Sequence, residues 1–124
     1  MPTATKISTL WIVVLINMAF ADILSFMFPS FLQQILTGEV DGVVITPMFM
    51  LVAAIFIEVG ILMIYLTRAL SQRASRIANL GAVVLTTLFV VGGGSLTPHY
   101  IFIASIEVLT LLYIAYLAWV WRED

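Results

Sequence analysis

The chain has no cysteine, and none of its basic residues lies inside its long apolar stretches. Without cysteine there can be no disulfide, no thiolate nucleophile and no cysteine-held metal or cluster. Charged residues are scarce at 10%, against about 25% in an average soluble domain. With a single histidine, no Glu-x-x-His or His-x-x-x-His spacing exists, so the usual helix-borne metal motifs are missing. Five Lys and Arg against seven Asp and Glu also exclude a nucleic-acid binder.

What fills the chain is hydrophobic residues, 63% of its 124 positions, gathered into four long runs. A helix needs about 20 apolar residues to cross a hydrocarbon core of roughly 30 Å. The reading is one all-α domain: an integral membrane four-helix bundle with spans at about 7–28, 47–67, 77–96 and 98–121. Little chain is left for a separate soluble catalytic domain. The first run continues past Asp22, too long for a signal-peptide core, so no cleavable leader is expected.

Punctuation sets the boundaries. Pro29 closes the first span. Phe31, Leu32, Ile35 and Leu36, mixed with Gln33 and Gln34 and followed by Gly38, predict a short helix in the headgroup region with a glycine C-cap. Asp41-Gly42 between valines is a turn signal for a small hairpin. Thr46-Pro47 and Thr97-Pro98 each read as an N-cap followed by proline at the first helical position. Residues 68–76 predict a basic loop, and Gly92-Gly93-Gly94 a flexible turn or an unwound stretch lining a cavity. Lys6, Arg68, Arg73, Arg76 and Arg122 all fall on one side, which places both termini in the cytoplasm. Trp11, Trp119 and Trp121 near that side suit an interfacial aromatic belt.

Three carboxylates lie inside the runs: Asp22, Glu58 and Glu107. Helix arithmetic puts them about 9, 16 and 13 Å from the outer helix ends. Asn17, Ser25 and Tyr100 lie at depths or on faces that meet them, and His99 sits at the outer start of the fourth span. A carboxylate in the bilayer centre costs roughly 3 kcal/mol. Three without counter-charge would approach 8–10 kcal/mol, about the whole stability of a domain. Either they carry protons, or a cation, a positively charged ligand or a basic partner neutralises them.

The second and fourth spans also share a pattern: Thr-Pro, then Ile57-Glu58-Val59 or Ile106-Glu107-Val108, then Tyr65 or Tyr113. The proline-to-glutamate spacings differ by two residues. If the two halves are nonetheless a parallel repeat, Glu58 and Glu107 should approach each other at the bundle axis.

Leu10-Trp11-Ile12, Phe20-Ala21-Asp22-Ile23, Gly38-Glu39-Val40-x-Gly42, Arg76-x-x-Asn79, Tyr100-x-Phe102 and Ala118-Trp119 together resemble an uncharacterised family of small bacterial four-span membrane proteins, a domain of unknown function. The resemblance covers nearly the whole chain. It implies a four-helix protein of the bacterial inner membrane with Asp22 and Glu107 as family acids, and it brings no activity, cofactor or catalytic residue. Small multidrug-resistance transporters are similar in size and span number, but their glutamate is in the first span, where this chain has Asp22.

Two functions follow from the acids. One is an oligomeric proton- or cation-linked transporter or channel with Asp22, Glu58, Glu107, Asn17, Ser25, Tyr100 and His99 as its binding residues. The other is a structural or accessory membrane subunit whose acids meet a basic partner or ligand. The plainer alternative is hydrogen-bond glue, Asp22 with Ser25 or Asn17 and the glutamates with Tyr100 or a backbone carbonyl, worth only ~0.6 kcal/mol per bond. An enzyme is the least supported reading, since no nucleophile–base pair is visible, and no cofactor is evident. The expected partners are the lipid bilayer and either copies of the chain or another membrane protein.

Overall fold

The computed structural model describes residues 2–40, 43–92 and 97–122. Five helices run in chain order: α1 (Thr3–Phe26), α2 (Pro29–Thr37), α3 (Pro47–Ala69), α4 (Gln72–Gly92) and α5 (Pro98–Trp119). A two-stranded antiparallel hairpin, β1 (Glu39–Val40) and β2 (Val43–Val44), separates α2 from α3. Its Asp41-Gly42 turn lies outside the described residues.

The breaks follow local chemistry. A residue before proline is pushed into extended backbone, and Phe28 is extended at φ −84° and ψ 116°, so α1 stops and α2 restarts on Pro29. Gly38 ends α2 in the left-handed region at φ +82°, where a side chain would be strained. Thr46 caps α3 as the sequence predicts, its Oγ1 accepting from the Phe49 N–H at 3.0 Å. One boundary differs. The predicted basic loop is mostly helix, because α4 begins at Gln72 and leaves only Leu70 and Ser71 as the connection. Ser71 accounts for this: its Oγ accepts from the Ala74 N–H at 3.4 Å and its carbonyl from the Ser75 N–H at 2.8 Å, nucleating a turn of good helix formers. Of the predicted third span, residues 93–96 lie outside the described residues.

α1, α3, α4 and α5 are long and apolar enough to cross a membrane. α1 packs on α3 and α5, and α4 packs on the same two, so α1 faces α4 and α3 faces α5 across the diagonals of an up-down-up-down bundle. The end with both termini and the α3–α4 connection is called here the terminal end; the end with α2 and the hairpin, the hairpin end. Ile7, Trp11, Val14, Met63, Ala82, Leu111, Ile114 and Ala118 form the core. Large apolar side chains such as Phe20, Phe26, Met48, Leu88 and Phe102 point outward. A water-soluble monomer would not expose so much apolar surface, and lipid would cover it. Gly60 lets α3 approach α1 closely: a Cβ there would stand 3.1 Å from Leu15 Cδ2. Near the hairpin end Phe56 of α3 stacks on Phe89 of α4, centroids 5.4 Å apart.

Candidate functional site: two polar layers in an apolar bundle

Polar side chains enter the bundle at two levels, and α4 supplies buried groups to both. Ser75, Asn79, Ala82, Thr86 and Val90 are buried at the three- and four-residue steps that keep a helix stripe facing inward.

Toward the terminal end, Asn79 is fully buried. Trp11 Nε1 donates to its Oδ1 at 2.7 Å across the diagonal from α1. Its Nδ2 donates to Thr67 Oγ1 at 3.1 Å and to the Ser75 carbonyl at 2.8 Å. Ser75 Oγ donates to the Thr67 carbonyl at 2.9 Å, and Ser8 Oγ to the Ile64 carbonyl at 2.7 Å. This layer ties α1, α3 and α4 together with every donor used. It also corrects the reading of two tryptophans. Trp11 is core, because a buried indole must find an acceptor for its N–H and Asn79 supplies one. Trp121 is also buried, packed against the core, while Gln72 Nε2 donates to its carbonyl at 3.0 Å. Trp119 is exposed, as an interfacial residue would be, with the Arg76 guanidinium 5.5 Å from its ring centroid.

Toward the hairpin end the polar groups are less well served. Glu107, on α5, is only 2% exposed, and its Oε1 has no hydrogen-bond partner among the described residues. Thr86 Oγ1, equally buried on α4, has none either. Ser25 Oγ and His99 Nε2 are hydrogen-bonded at 3.2 Å, joining α1 to α5, and Tyr100 OH donates to the Val90 carbonyl at 3.1 Å, joining α5 to α4. Asp22 is exposed on α1 yet within electrostatic reach of Glu107 and Tyr100. Asn17 is half-buried and spends its Nδ2 on the Val13 carbonyl of its own helix at 2.8 Å.

The candidate residues therefore divide. Asp22, Ser25, His99, Tyr100 and Glu107 gather where α1 meets α5, and Asn17 turns back to its own backbone. Glu58 is exposed on the outer surface of α3 and does not approach Glu107. The expected meeting at the axis is corrected by the two-residue difference in spacing, which amounts to about 200° of rotation on a helix of 3.6 residues per turn. The repeat instead registers on the prolines. Gly60, Met63 and Thr67 are buried at the same distances from Pro47 as Leu111, Ile114 and Ala118 are from Pro98. The glue pattern fares no better in detail. Ser25 pairs with His99 and Asn17 Nδ2 donates to the Val13 carbonyl, and Tyr100 donates to the Val90 carbonyl rather than to Glu107.

Thr86 was not among the residues the sequence singled out. Its signal was there: it continues the buried Ser75–Asn79 stripe by two turns. Among the described residues no group of three or more His, Cys, Asp or Glu is arranged to hold a metal ion.

Four packed helices, each long and apolar enough to cross a membrane, with a bonded polar layer inside the bundle, mark a small candidate membrane protein. The chain belongs to DUF6326, a family of unknown function whose model matches residues 3–124. No curated protein and no solved structure matches it.

Proposed function

We propose that the protein is a small proton- or cation-linked transporter or channel in which Glu107 is the binding acid and Asp22, beside it at the bundle surface, is the entrance. The observation that carries this reading is Glu107 itself: nearly fully buried, on a helix long enough to span a bilayer, with one carboxyl oxygen unpartnered among the described residues. A buried carboxyl oxygen with no donor among the described residues calls for a proton or a cation, and a carboxyl that can take one reversibly is the elementary part of an ion pathway. Lys6, Arg68, Arg73, Arg76 and Arg122 set both termini on the cytoplasmic side of, on this reading, a bacterial inner membrane, so Asp22, Ser25 and His99 open to the outside. Four helices leave too little room for a wide internal pore, which favours a homo-oligomer with the route along a subunit seam. Flux in proteoliposomes tests it: wild type should carry protons or cations above empty liposomes, and Glu107→Gln should not. Equal flux from the two dismisses the role of Glu107.

One observation favours a second reading, an accessory subunit. Glu58 is exposed on the outer surface of a membrane-length helix, where a basic side chain of a partner would neutralise it. Purification in mild detergent with mass spectrometry of co-migrating proteins separates the two. A homogeneous assembly of this chain alone argues for the first, and a constant second protein released by Glu58→Gln argues for the accessory role.

A further inference from the structure

The residues that carry the two unpartnered oxygens, Thr86 and Glu107, stand at about one level of the α4–α5 pair. Gln72 and Trp121 are joined at the terminal end of the α4–α5 pair. Thr86 stands fourteen residues along α4 from Gln72, and Glu107 fourteen residues back along α5 from Trp121, so both lie about 21 Å from that tie. α4 and α5 are packed together, and both side chains are buried. In antiparallel helices each side chain leans toward its own helix N-terminus. Thr86 and Glu107 therefore lean apart along the bundle axis, which explains why two polar groups at one level make no bond to each other.

We propose that Glu107 and Thr86 together form an occluded, oxygen-lined site for one monovalent hard cation, a sodium ion or a hydronium. The assignment rests on the cation-handling reading above and gives it a ligand class. A carboxylate oxygen and a hydroxyl oxygen are hard donors, suited to cations that prefer oxygen and unsuited to soft metals. Charge sets the valence. Glu107 is the one fully buried ionisable group among the described residues, and a single positive charge balances it. The ionisable groups within electrostatic reach of it are Asp22 from α1 and Tyr100 from α5 itself, while α4 brings none along its apolar part and α3 lies across the diagonal. Tyr100, Ser25 and His99 are already bonded and close the site on the hairpin side.

The experiment is carbodiimide labelling of the whole protein in liposomes, with Glu107 followed by peptide mass spectrometry across sodium concentration and pH. Sodium should slow the labelling of Glu107. Thr86→Val, which keeps the side-chain shape, should raise the half-protecting sodium concentration about tenfold, the loss of one good ligand oxygen, and Thr86→Ser should restore it. If hydronium is the occupant, sodium has no effect, but the pH midpoint of labelling moves in Thr86→Val and returns in Thr86→Ser. Labelling that responds to neither sodium nor Thr86 overturns the site. The outcomes separate from those of the transport reading. Glu107-independent flux beside Thr86-dependent protection removes the transporter and leaves the site, and Glu107-dependent flux beside Thr86-independent labelling does the reverse.

Discussion

Asn79 and Thr86 stand two turns apart on one buried stripe of α4, yet their surroundings are opposites. Around Asn79, the indole of Trp11, the hydroxyls of Thr67 and Ser75 and two backbone carbonyls form a closed set of bonds. The Thr86 hydroxyl, by contrast, has no partner among the described residues, and neither has Glu107 Oε1 on the neighbouring helix. Polar groups inside a membrane bundle serve two ends. When all are bonded, they fix which helices meet and in what register, at a modest gain of ~0.6 kcal/mol per bond. When some are not, each costs about 1–3 kcal/mol, and that cost is tolerable where a guest removes it. The terminal-end layer is architecture; the hairpin-end layer is where the proposed ligand would sit.

Substitutions can break or sharpen this contrast. The largest effect should come from Asn79→Leu, which strands the Trp11 N–H and the Thr67 hydroxyl at once. A loss of about 2–4 kcal/mol is expected, read as a lower unfolding midpoint in detergent, with no dependence on sodium or pH beyond that of wild type. Gly60→Val comes next. Its branches would press on Leu15 and Trp11 along the α1–α3 seam that feeds the bonded layer, at about 1–3 kcal/mol, and the same unfolding series checks it. Thr86→Val should act in the opposite direction. It deletes a buried hydroxyl that has no partner, so in sodium-free buffer the bundle should gain about 1 kcal/mol, whereas a hydroxyl serving the fold would give a loss. The smallest effect should come from Glu58→Gln, on the outer surface of α3, within about 0.5 kcal/mol of wild type in the isolated bundle. A larger change in unfolding would mean that Glu58 supports the fold after all.

The bundle was legible in the sequence because its determinants are local and strong. Pro29, Thr46-Pro47, Gly38 and Thr97-Pro98 punctuate runs of membrane length, and the helices begin or end at them. The helical start at Gln72 was obscured by the basic residues of 68–76, whose charge reads as loop while their propensity is helical. The site was half legible. Asp22, Ser25, His99, Tyr100 and Glu107 could be grouped by depth and face, and they gather between α1 and α5. Glu58 matched Glu107 in sequence context but not in rotation, and a helix turns by about 100° per residue, so a two-residue change in spacing outweighs any likeness of neighbours. Thr86 and the structural role of Asn79 were missed because neutral polar residues were weighed only on the spans that carry the acids, although inside lipid an amide or hydroxyl without a partner is costly as well.

The central proposal is that Glu107, whose Oε1 has no partner among the described residues, is completed by a bound cation. The most direct measurement is an experimental density map of the protein in sodium buffer, at a resolution that shows bound ions and water. The account predicts a non-protein peak between Glu107 and Thr86, within bonding distance of Oε1 and Oγ1, and lost in Glu107→Gln. Continuous side-chain packing there, with Glu107 Oε1 accepting from a donor of its own chain, would contradict it.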